Sequence, residues 1–251
     1  SDPKANLLIT QSPLSLVLQK GKTAELKCNQ TYGHDVMFWY RQDRGQELQL
    51  LFHFYYESMQ DTGKKPDRFT PEKTQKEICN LKINPEGARG FGYNCLRKFI
   101  IVTLFGTVSN TQQYFGRGSR LTVLEEGQIT SPPKVTIFAP SEEEVKEKQK
   151  ATIVCLATNF FPDHVSLTWY LNDEVRTDGV KTETPQYDKT KKEYSLISRI
   201  RITIKEWQNS NNKFRCNVEF YDENGKSDYS DEIFGRALVL EADGNDSFPF
   251  A

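Results

Sequence analysis

Two sets of cysteine and tryptophan residues recur along the chain with nearly the same spacing. The first set is Cys28, Trp39 and Cys95, and the second is Cys155, Trp169 and Cys216. In each set the cysteines are sixty to seventy residues apart, and the tryptophan follows the first cysteine by 11 or 14 residues. This spacing suits a disulfide that joins two sheets, with a tryptophan of a third strand packed on it. The chain is therefore predicted to be all-β, with two tandem sandwiches.

This pattern is typical of immunoglobulin-like domains, and it predicts the disulfides Cys28–Cys95 and Cys155–Cys216, with Trp39 and Trp169 in the cores. A length of 251 residues suits two such domains. Tyr93, two residues before Cys95, stands at the tyrosine-corner position, where the hydroxyl ties a turn to the backbone. Bridges of this kind indicate an oxidising, secretory environment.

The division between the two domains is visible in the sequence. An alternating strand ends at Leu124, a polar linker with two prolines follows, and a second alternating strand begins at Val135. We expect the domains over 1–124 and 125–242, with a disordered tail over 243–251. The segment between Trp39 and Leu81 has room for the two extra strands of a variable-type domain, which we therefore assign to the first half.

The fifth cysteine, Cys79, has no place in either predicted bridge. It has the same parity as Leu81 and Ile83, so that on a strand its side chain points to their apolar face. We expect a buried free thiol, since unpaired cysteine is among the most buried residue types. An intermolecular disulfide is the alternative.

Three loops are expected to meet at one end of the first sandwich and to form a recognition surface. The second loop is rich in aromatic residues, which provide contact area at low entropic cost. The third, Leu96 to Tyr114, begins with an apolar run that needs a cover. The predicted ligand contacts are Tyr32, His34 and Asp35 in the first loop, Tyr55, Tyr56 and Glu57 in the second, and Phe99, Ile100, Ile101, Val102, Leu104 and Phe105 in the third.

The chain resembles the extracellular part of a T-cell receptor β chain, a variable domain followed by a constant domain. The segment from Phe115 to Leu124 is similar to a β joining segment. The constant half matches in the runs 138–145, 150–157 and 160–165, and in the Trp207-Gln-Asn turn. The resemblance implies pairing with an α chain, binding of a peptide–MHC ligand, and association with receptor signalling subunits. It also implies the extracellular part of a plasma-membrane receptor, here without its membrane-spanning segment.

The same resemblance assigns roles to individual residues. A short helix from Ser141 to Lys148 is expected, with Ser141 as its N-cap, and Pro162 is expected to follow a cis peptide. Positions that contact the α chain in the family correspond to Tyr40, Gln42, Leu48, Phe115 and Glu144.

The sequence departs from the family just before Cys95. Arg89 stands where an acidic residue usually pairs with an arginine such as Arg68, and Asn94 replaces an aromatic residue. We therefore expect a reshaped strand in this region.

Other classes of function find little support in the sequence. The three histidines lack metal-ligand spacing, no nucleophile or phosphate-binding motif occurs, and the net charge is −1. We predict no enzyme activity, no cofactor, no metal, no nucleic acid and no membrane contact. Two glycosylation sequons begin at Asn29 and Asn245. An antibody-like secreted binder and a structural adhesion module are the alternative functions.

Overall fold

The computed structural model describes residues 8–43, 45–62, 69–84, 96–104, 113–148 and 150–237. At 61–62, 96–104 and 147–148 only the backbone is described. Tyr93, Asn245 and the predicted tail 243–251 lie outside these ranges, as do Arg89 and Asn94. One compact unit comprises the residues up to Ser131 together with Tyr221–Ser227, and the other comprises the remainder from Pro132. The predicted boundary after Leu124 falls shortly before that division.

The first unit is a sandwich of two sheets. One sheet has the strand order β1-β3-β8-β7, and the other has the order β2-β11-β9-β4-β5-β6, with β10 paired to β9. The strand β2 pairs with β11 in parallel, and the other pairings are antiparallel. The strands are β1 Ile9–Ser12, β2 Ser15–Gln19, β3 Ala24–Gln30, β4 Val36–Asp43, β5 Leu48–Tyr55, β6 Ser58–Thr62, β7 Phe69–Glu72, β8 Asn80–Ile83, β9 Leu96–Leu104, β10 Gln113–Phe115 and β11 Ser119–Leu124.

The second unit also consists of two sheets, and it contains two short helices. Its sheets have the orders β12-β13-β18-β16, with β17 paired to β18, and β15-β14-β19-β20. The prediction of an all-β chain with two tandem sandwiches is confirmed. The elements are β12 Lys134–Phe138, α1 Glu142–Lys148, β13 Lys150–Phe160, β14 Val165–Leu171, β15 Glu174–Arg176, β16 Val180–Thr182, β17 Gln186–Asp188, β18 Glu193–Thr203, α2 Ile204–Gln208, β19 Lys213–Asp222 and β20 Gly225–Phe234.

Alternation of apolar and polar residues decides which side of each strand faces the core. Along β3, Ala24, Leu26, Cys28 and Gln30 are buried and the residues between them are exposed. This is the period of two expected for a strand with one buried face. Cys79, Leu81 and Ile83 are likewise fully buried, so that the parity predicted for Cys79 is confirmed.

The core of the second unit has the predicted disulfide and tryptophan. Cys155 and Cys216 are joined with an S–S length of 2.07 Å, and Trp169 lies directly opposite Cys216 in the pairing of β14 with β19. The Trp169 indole N–H donates to Ser198 Oγ over 2.9 Å. The Phe161–Pro162 peptide is cis.

The first unit does not repeat this arrangement. Cys28 is a buried free thiol, which corrects the predicted Cys28–Cys95 disulfide; Cys95 itself lies outside the described residues. The physical reason is the register, because Ile101 is opposite Trp39 in the pairing of β4 with β9. Leu96, which follows Cys95, is then about 17 Å further along the strand at the usual rise per residue.

The strand β9 also corrects the predicted third loop. The run from Phe99 to Leu104 is bonded along its length to β4, and β11 pairs with the other edge of β9 at Phe99. β-branched and aromatic residues in a continuous run favour a central strand. These residues are therefore part of the sheet rather than of an exposed loop, and Phe105 lies outside the described residues.

Candidate recognition surface

The first and second loops, which precede β4 and follow β5, are joined through Asp35. The backbone N–H of Tyr56 donates to the Asp35 carbonyl over 2.7 Å. The Asp35 carboxylate forms an ion pair with Lys76 Nζ at 2.7 Å, and this ammonium lies 5.4 Å from the centre of the Tyr56 ring. The bond to Asp35 raises the pKa of Lys76, and the Asp35 charge raises the pKa of the Tyr56 hydroxyl. A lysine between β7 and β8 thus becomes part of the loop surface.

A second lysine fixes the turn that carries Lys76. Lys73 Nζ donates to the carbonyls of Lys76 and Gln75 over 2.7 and 3.3 Å. It also lies 3.1 Å from Met37 Sδ, and burial lowers its pKa. The sequence interpretation did not find either lysine, because both are distant in sequence from the loops that they support.

Tyr32 and His34 of the first loop pack against Tyr114, which is in β10. The centroid of the Tyr32 ring is 4.9 Å from that of His34 and 4.4 Å from that of Tyr114. Gln30 is fully buried beneath them; its side chain accepts from His34 N and donates to His34 O, over 3.2 and 2.9 Å. Burial lowers the pKa of His34. This loop therefore has a fixed backbone with a neutral imidazole at its base.

The second loop presents an exposed aromatic tip. The tip is made of the side chains of Tyr55, Tyr56 and Met59, which are 40%, 41% and 46% exposed. The two tyrosine rings meet edge to face at 4.8 Å, and Glu57 lies beside them in the turn. The predicted contacts of the first two loops are thus brought to neighbouring positions, whereas those of the third loop from Phe99 to Leu104 are placed in β9.

The outer face of the larger sheet of the first unit is unusually apolar. On β4, Met37 and Trp39 are fully buried, so that alternation turns Phe38, Tyr40 and Gln42 to the opposite side. The exposed fractions of Leu48 and Phe115 are 44% and 58%. We call this set the partner face: Phe38, Tyr40, Gln42, Leu48 and Phe115.

The partner face is held in shape by contacts within the unit. Phe38 stacks on His53 with centroids 4.4 Å apart. Gln42 is directly opposite Leu48 in the ladder of β4 and β5, and its side-chain amide donates to the Gln46 carbonyl over 3.2 Å.

The second unit has an outer apolar strip on the sheet that contains β13. Phe138, Val154 and Arg199 are aligned across three strands, and Leu156 is opposite Ile197. Phe138 and Ile197 are 48% and 36% exposed. An apolar strip bordered by an arginine is typical of a surface that another protein covers.

Glu144, predicted at the partner contact, has a role within its own unit. Its carboxylate accepts from the backbone N–H and the hydroxyl of Thr152, over 2.9 and 2.6 Å. The helix α1 carries Glu144 in its first turn, where Ser141 Oγ accepts from the Glu144 N–H over 3.2 Å. These bonds fasten the helix to β13.

The sequon at Asn29 lies on the exposed side of β3. The hydroxyl of Thr31 is bonded to the backbone of Leu8, accepting from its N–H over 2.9 Å and donating to its carbonyl over 3.3 Å. The Asn29 amide is on a polar outer face, so that a glycan there is a prediction compatible with the fold.

In the part of the chain that the structure describes, no group of three or more acidic, histidine or cysteine side chains is arranged to hold a metal ion. Among the same residues no helix has the length and apolar character of a membrane span.

Comparison with known protein families agrees with the two units. The immunoglobulin V-set model matches residues 11–88 and the immunoglobulin C1-set model matches residues 135–223. The V-set match thus ends before the region that departs from the family.

Several known proteins are similar to the chain. A viral T-cell receptor β chain-like protein of feline leukemia virus is 38% identical over 218 residues, which are 85% of this chain and 67% of the viral protein. The C region of the T-cell receptor β-2 chain of Mus musculus is 45% identical over 97 residues, 39% of this chain and 56% of that protein. The chain therefore spans between half and two thirds of these two relatives.

A solved structure described as that of a chicken TCR has a TM-score of 0.78 and 34% identity. The alignment covers 92% of this chain and 100% of the other. The spacing of cysteine and tryptophan, the order of V-set and C1-set domains and these similarities all indicate the same family. The chain belongs to the T-cell receptor β-chain family.

Proposed function

We propose that the chain pairs with a T-cell receptor α chain and that the pair binds a peptide presented by an MHC molecule. The exposed apolar partner face of the first unit is the observation that carries the proposal. Its residues are on the flat side of a sheet rather than at a loop tip, so that they suit a second sandwich domain better than a small ligand.

The chemistry of the partner face favours such pairing. Burial of a large apolar side chain contributes about 1.5–3 kcal/mol when it is complete, and about half of that area is still exposed on Leu48 and Phe115. Gln42 provides a donor and an acceptor beside Leu48, as expected for an interface that combines apolar contact with a few hydrogen bonds.

The apolar strip of the second unit supports a second contact with the same partner. Phe138 and Ile197 offer apolar area, and Arg199, which contacts Glu183 Oε1 at 3.1 Å, offers a charge at its border. Exposed ion pairs add little to stability. Arg199 can therefore leave Glu183 at little cost and bind an acidic group of another protein. We propose that the constant domain of an α chain covers this strip.

The loops at the end of the first unit suit peptide–MHC recognition. Tyr55 and Tyr56 present exposed rings on a backbone that Asp35 holds, so that little conformational entropy is lost on binding. Asp35, Glu57 and Lys76 surround these rings with charges of both signs, which suits the mixed surface of a peptide-presenting helix pair. Interfaces of this kind bury about 1,200–2,000 Å².

We further propose that signalling passes through associated receptor subunits, and that the chain acts as the extracellular part of a plasma-membrane receptor. This proposal rests on the similarity to T-cell receptor β chains.

Co-refolding tests the pairing. The chain is refolded with a T-cell receptor α-chain ectodomain and, in parallel, with an antibody heavy-chain Fd fragment. The proposal predicts a 1:1 complex with the α chain by size-exclusion chromatography with light scattering. A stable complex with the heavy chain alone would favour an antibody-like binder and contradict the proposal.

The ligand is tested with the purified heterodimer and a panel of peptide–MHC tetramers. Replacing Tyr55 and Tyr56 with alanine is expected to abolish staining by any tetramer that binds, because the exposed rings are lost. The matched control, Tyr229→Ala, changes a tyrosine of β20 in the second unit and should leave staining unchanged. Tetramer staining that survives the double replacement would exclude the second loop as the contact.

A further inference from the structure

The two units place different residues opposite their first cysteine. In the second unit Cys155 is directly opposite Ser198 in the ladder of β13 and β18. In the first unit the ladder of β3 and β8 pairs Leu26 with Leu81. It continues to a bridge between Asn29 and Ile78. Cys28 is therefore directly opposite Cys79.

The backbone and the side chains both bring these two cysteines together. The Cys79 N–H donates to the Cys28 carbonyl over 3.0 Å, and both side chains are buried in the same core cluster. Hydrogen-bonded antiparallel pairs have Cα atoms about 5.5 Å apart, which is within the range that disulfides require.

In each unit the core tryptophan donates a hydrogen bond to the residue that lies directly opposite the first cysteine. Trp169 bonds to Ser198 Oγ over 2.9 Å, and Trp39 bonds to Cys79 Sγ over 3.3 Å. Cys79 is thus the counterpart of Ser198. The position opposite the tryptophan on the facing strand is Cys216 in the second unit and Ile101 in the first. Cys79 is therefore the cysteine that the fold offers to Cys28.

We propose that Cys28 and Cys79 form a cross-strand disulfide within the sheet β1-β3-β8-β7 when the protein folds under oxidising conditions. The two thiols lose two protons and two electrons, and the oxidant is the disulfide of oxidised glutathione or of a dithiol oxidoreductase, which is reduced to two thiols. In the first step a Cys79 thiolate attacks the oxidant and forms a mixed disulfide. In the second, the Cys28 thiolate attacks Cys79 Sγ and displaces the remaining thiol.

Burial decides when this reaction occurs. Cys28 and Cys79 are 2% and 0% exposed, so that an oxidant cannot reach them in the folded unit. Burial also raises both thiol pKa values, that of Cys79 to about 11, and thiolate is the reactive form. The bond therefore forms while the core is still open, and the folded dithiol is resistant to oxidation.

Trypsin separates the three cysteines of the first unit, because cleavage after lysine and arginine yields the peptides 28–41, 77–82 and 90–97. The full-length protein is refolded from bacterial inclusion bodies in a glutathione buffer, alkylated, and digested without reduction. Mass spectrometry then compares the Cys28–Cys79 link with the Cys79–Cys95 and Cys28–Cys95 links. The Cys155–Cys216 link serves as the internal standard.

A parallel oxidation in guanidinium chloride shows which disulfides form in the unfolded chain, where only loop length decides the pairing. In the unfolded state, loop-closure statistics favour the short Cys79–Cys95 loop over Cys28–Cys79 by about 6-fold. We expect this ratio to reverse in folding buffer, with the Cys28–Cys79 link in excess. The Cys95→Ser variant should give the same link, and peptide mapping detects it even if that variant folds poorly. The proposal is overturned if the ratio is the same in both buffers, or if Cys28–Cys95 is the main product of folding.

Discussion

Trp169 and Ser198 are joined by a hydrogen bond of 2.9 Å between indole and hydroxyl in the core of the second unit. Ser198 is fully buried, and its hydroxyl also lies 2.8 Å from Thr182 Oγ1. Ser198→Ala leaves the indole N–H without its acceptor, and we expect a loss of about 1–3 kcal/mol in the free energy of unfolding. Urea denaturation of the second unit measures it. Ser210→Ala, at an exposed position, should change stability by less than about 0.5 kcal/mol.

Glu144 stabilises the second unit through the two bonds that it accepts from Thr152. Glu144→Ala removes both acceptors, and we expect a loss of about 1–3 kcal/mol in urea denaturation. The neighbouring Glu143 is exposed, and Glu143→Ala serves as the matched control with little expected change. Equal effects of the two substitutions would show that the contact with Thr152 does not contribute.

The first loop is expected to lose stability as the pH falls, through His34. Its pKa in the folded unit is lowered by burial from the ordinary value of 6.5. As the pH falls from 6.5 towards the lower pKa of the folded unit, the unfolded state binds more protons than the folded one, and the free energy of unfolding decreases. Thermal unfolding between pH 7.5 and 5 measures this decrease, which His34→Gln should reduce. A pH dependence that is unchanged in His34→Gln would assign the effect to another group.

Leu48→Asp tests the partner face without a large cost to the fold. Leu48 is 44% exposed, so that we expect the free energy of unfolding to change by less than about 1 kcal/mol. Affinity for the α chain should fall at least about tenfold, because a charge would be buried without a partner. Val175→Asp, at an exposed position of β15, is the control. Binding that is equally strong in Leu48→Asp and Val175→Asp would place the interface elsewhere.

The sequence predicted the second unit more completely than the first. Cys155 and Cys216 form the predicted disulfide, and Trp169 packs beside it as predicted. In this unit the spacing of the three residues along the sequence agrees with the pairing of the strands that carry them. In the first unit the parity of Cys79 was sufficient to predict its burial. Its position opposite Cys28 was not predicted, since the pairing of β3 with β8 depends on contacts distant in sequence.

The strand β9 shows why the position of the third loop does not follow from the sequence. A loop that begins directly after Cys95 contains the apolar run from Phe99 to Leu104, but in the structure this run pairs with β4 and β11. Backbone hydrogen bonding along a β-branched run therefore decided the position of the strand. Lys76 was missed for a related reason, since only the folded protein brings it to Asp35.

Hydroxyl-radical footprinting of the protein alone and of its complex with an α chain tests the central proposal most directly. It reports the solvent exposure of individual side chains. The proposal predicts that oxidation of Leu48 and Phe115 falls close to background in the complex, while Tyr55 and Tyr56 remain as reactive as in the protein alone. The proposal is contradicted if Leu48 and Phe115 are oxidised equally in both samples and protection is confined to Tyr55 and Tyr56.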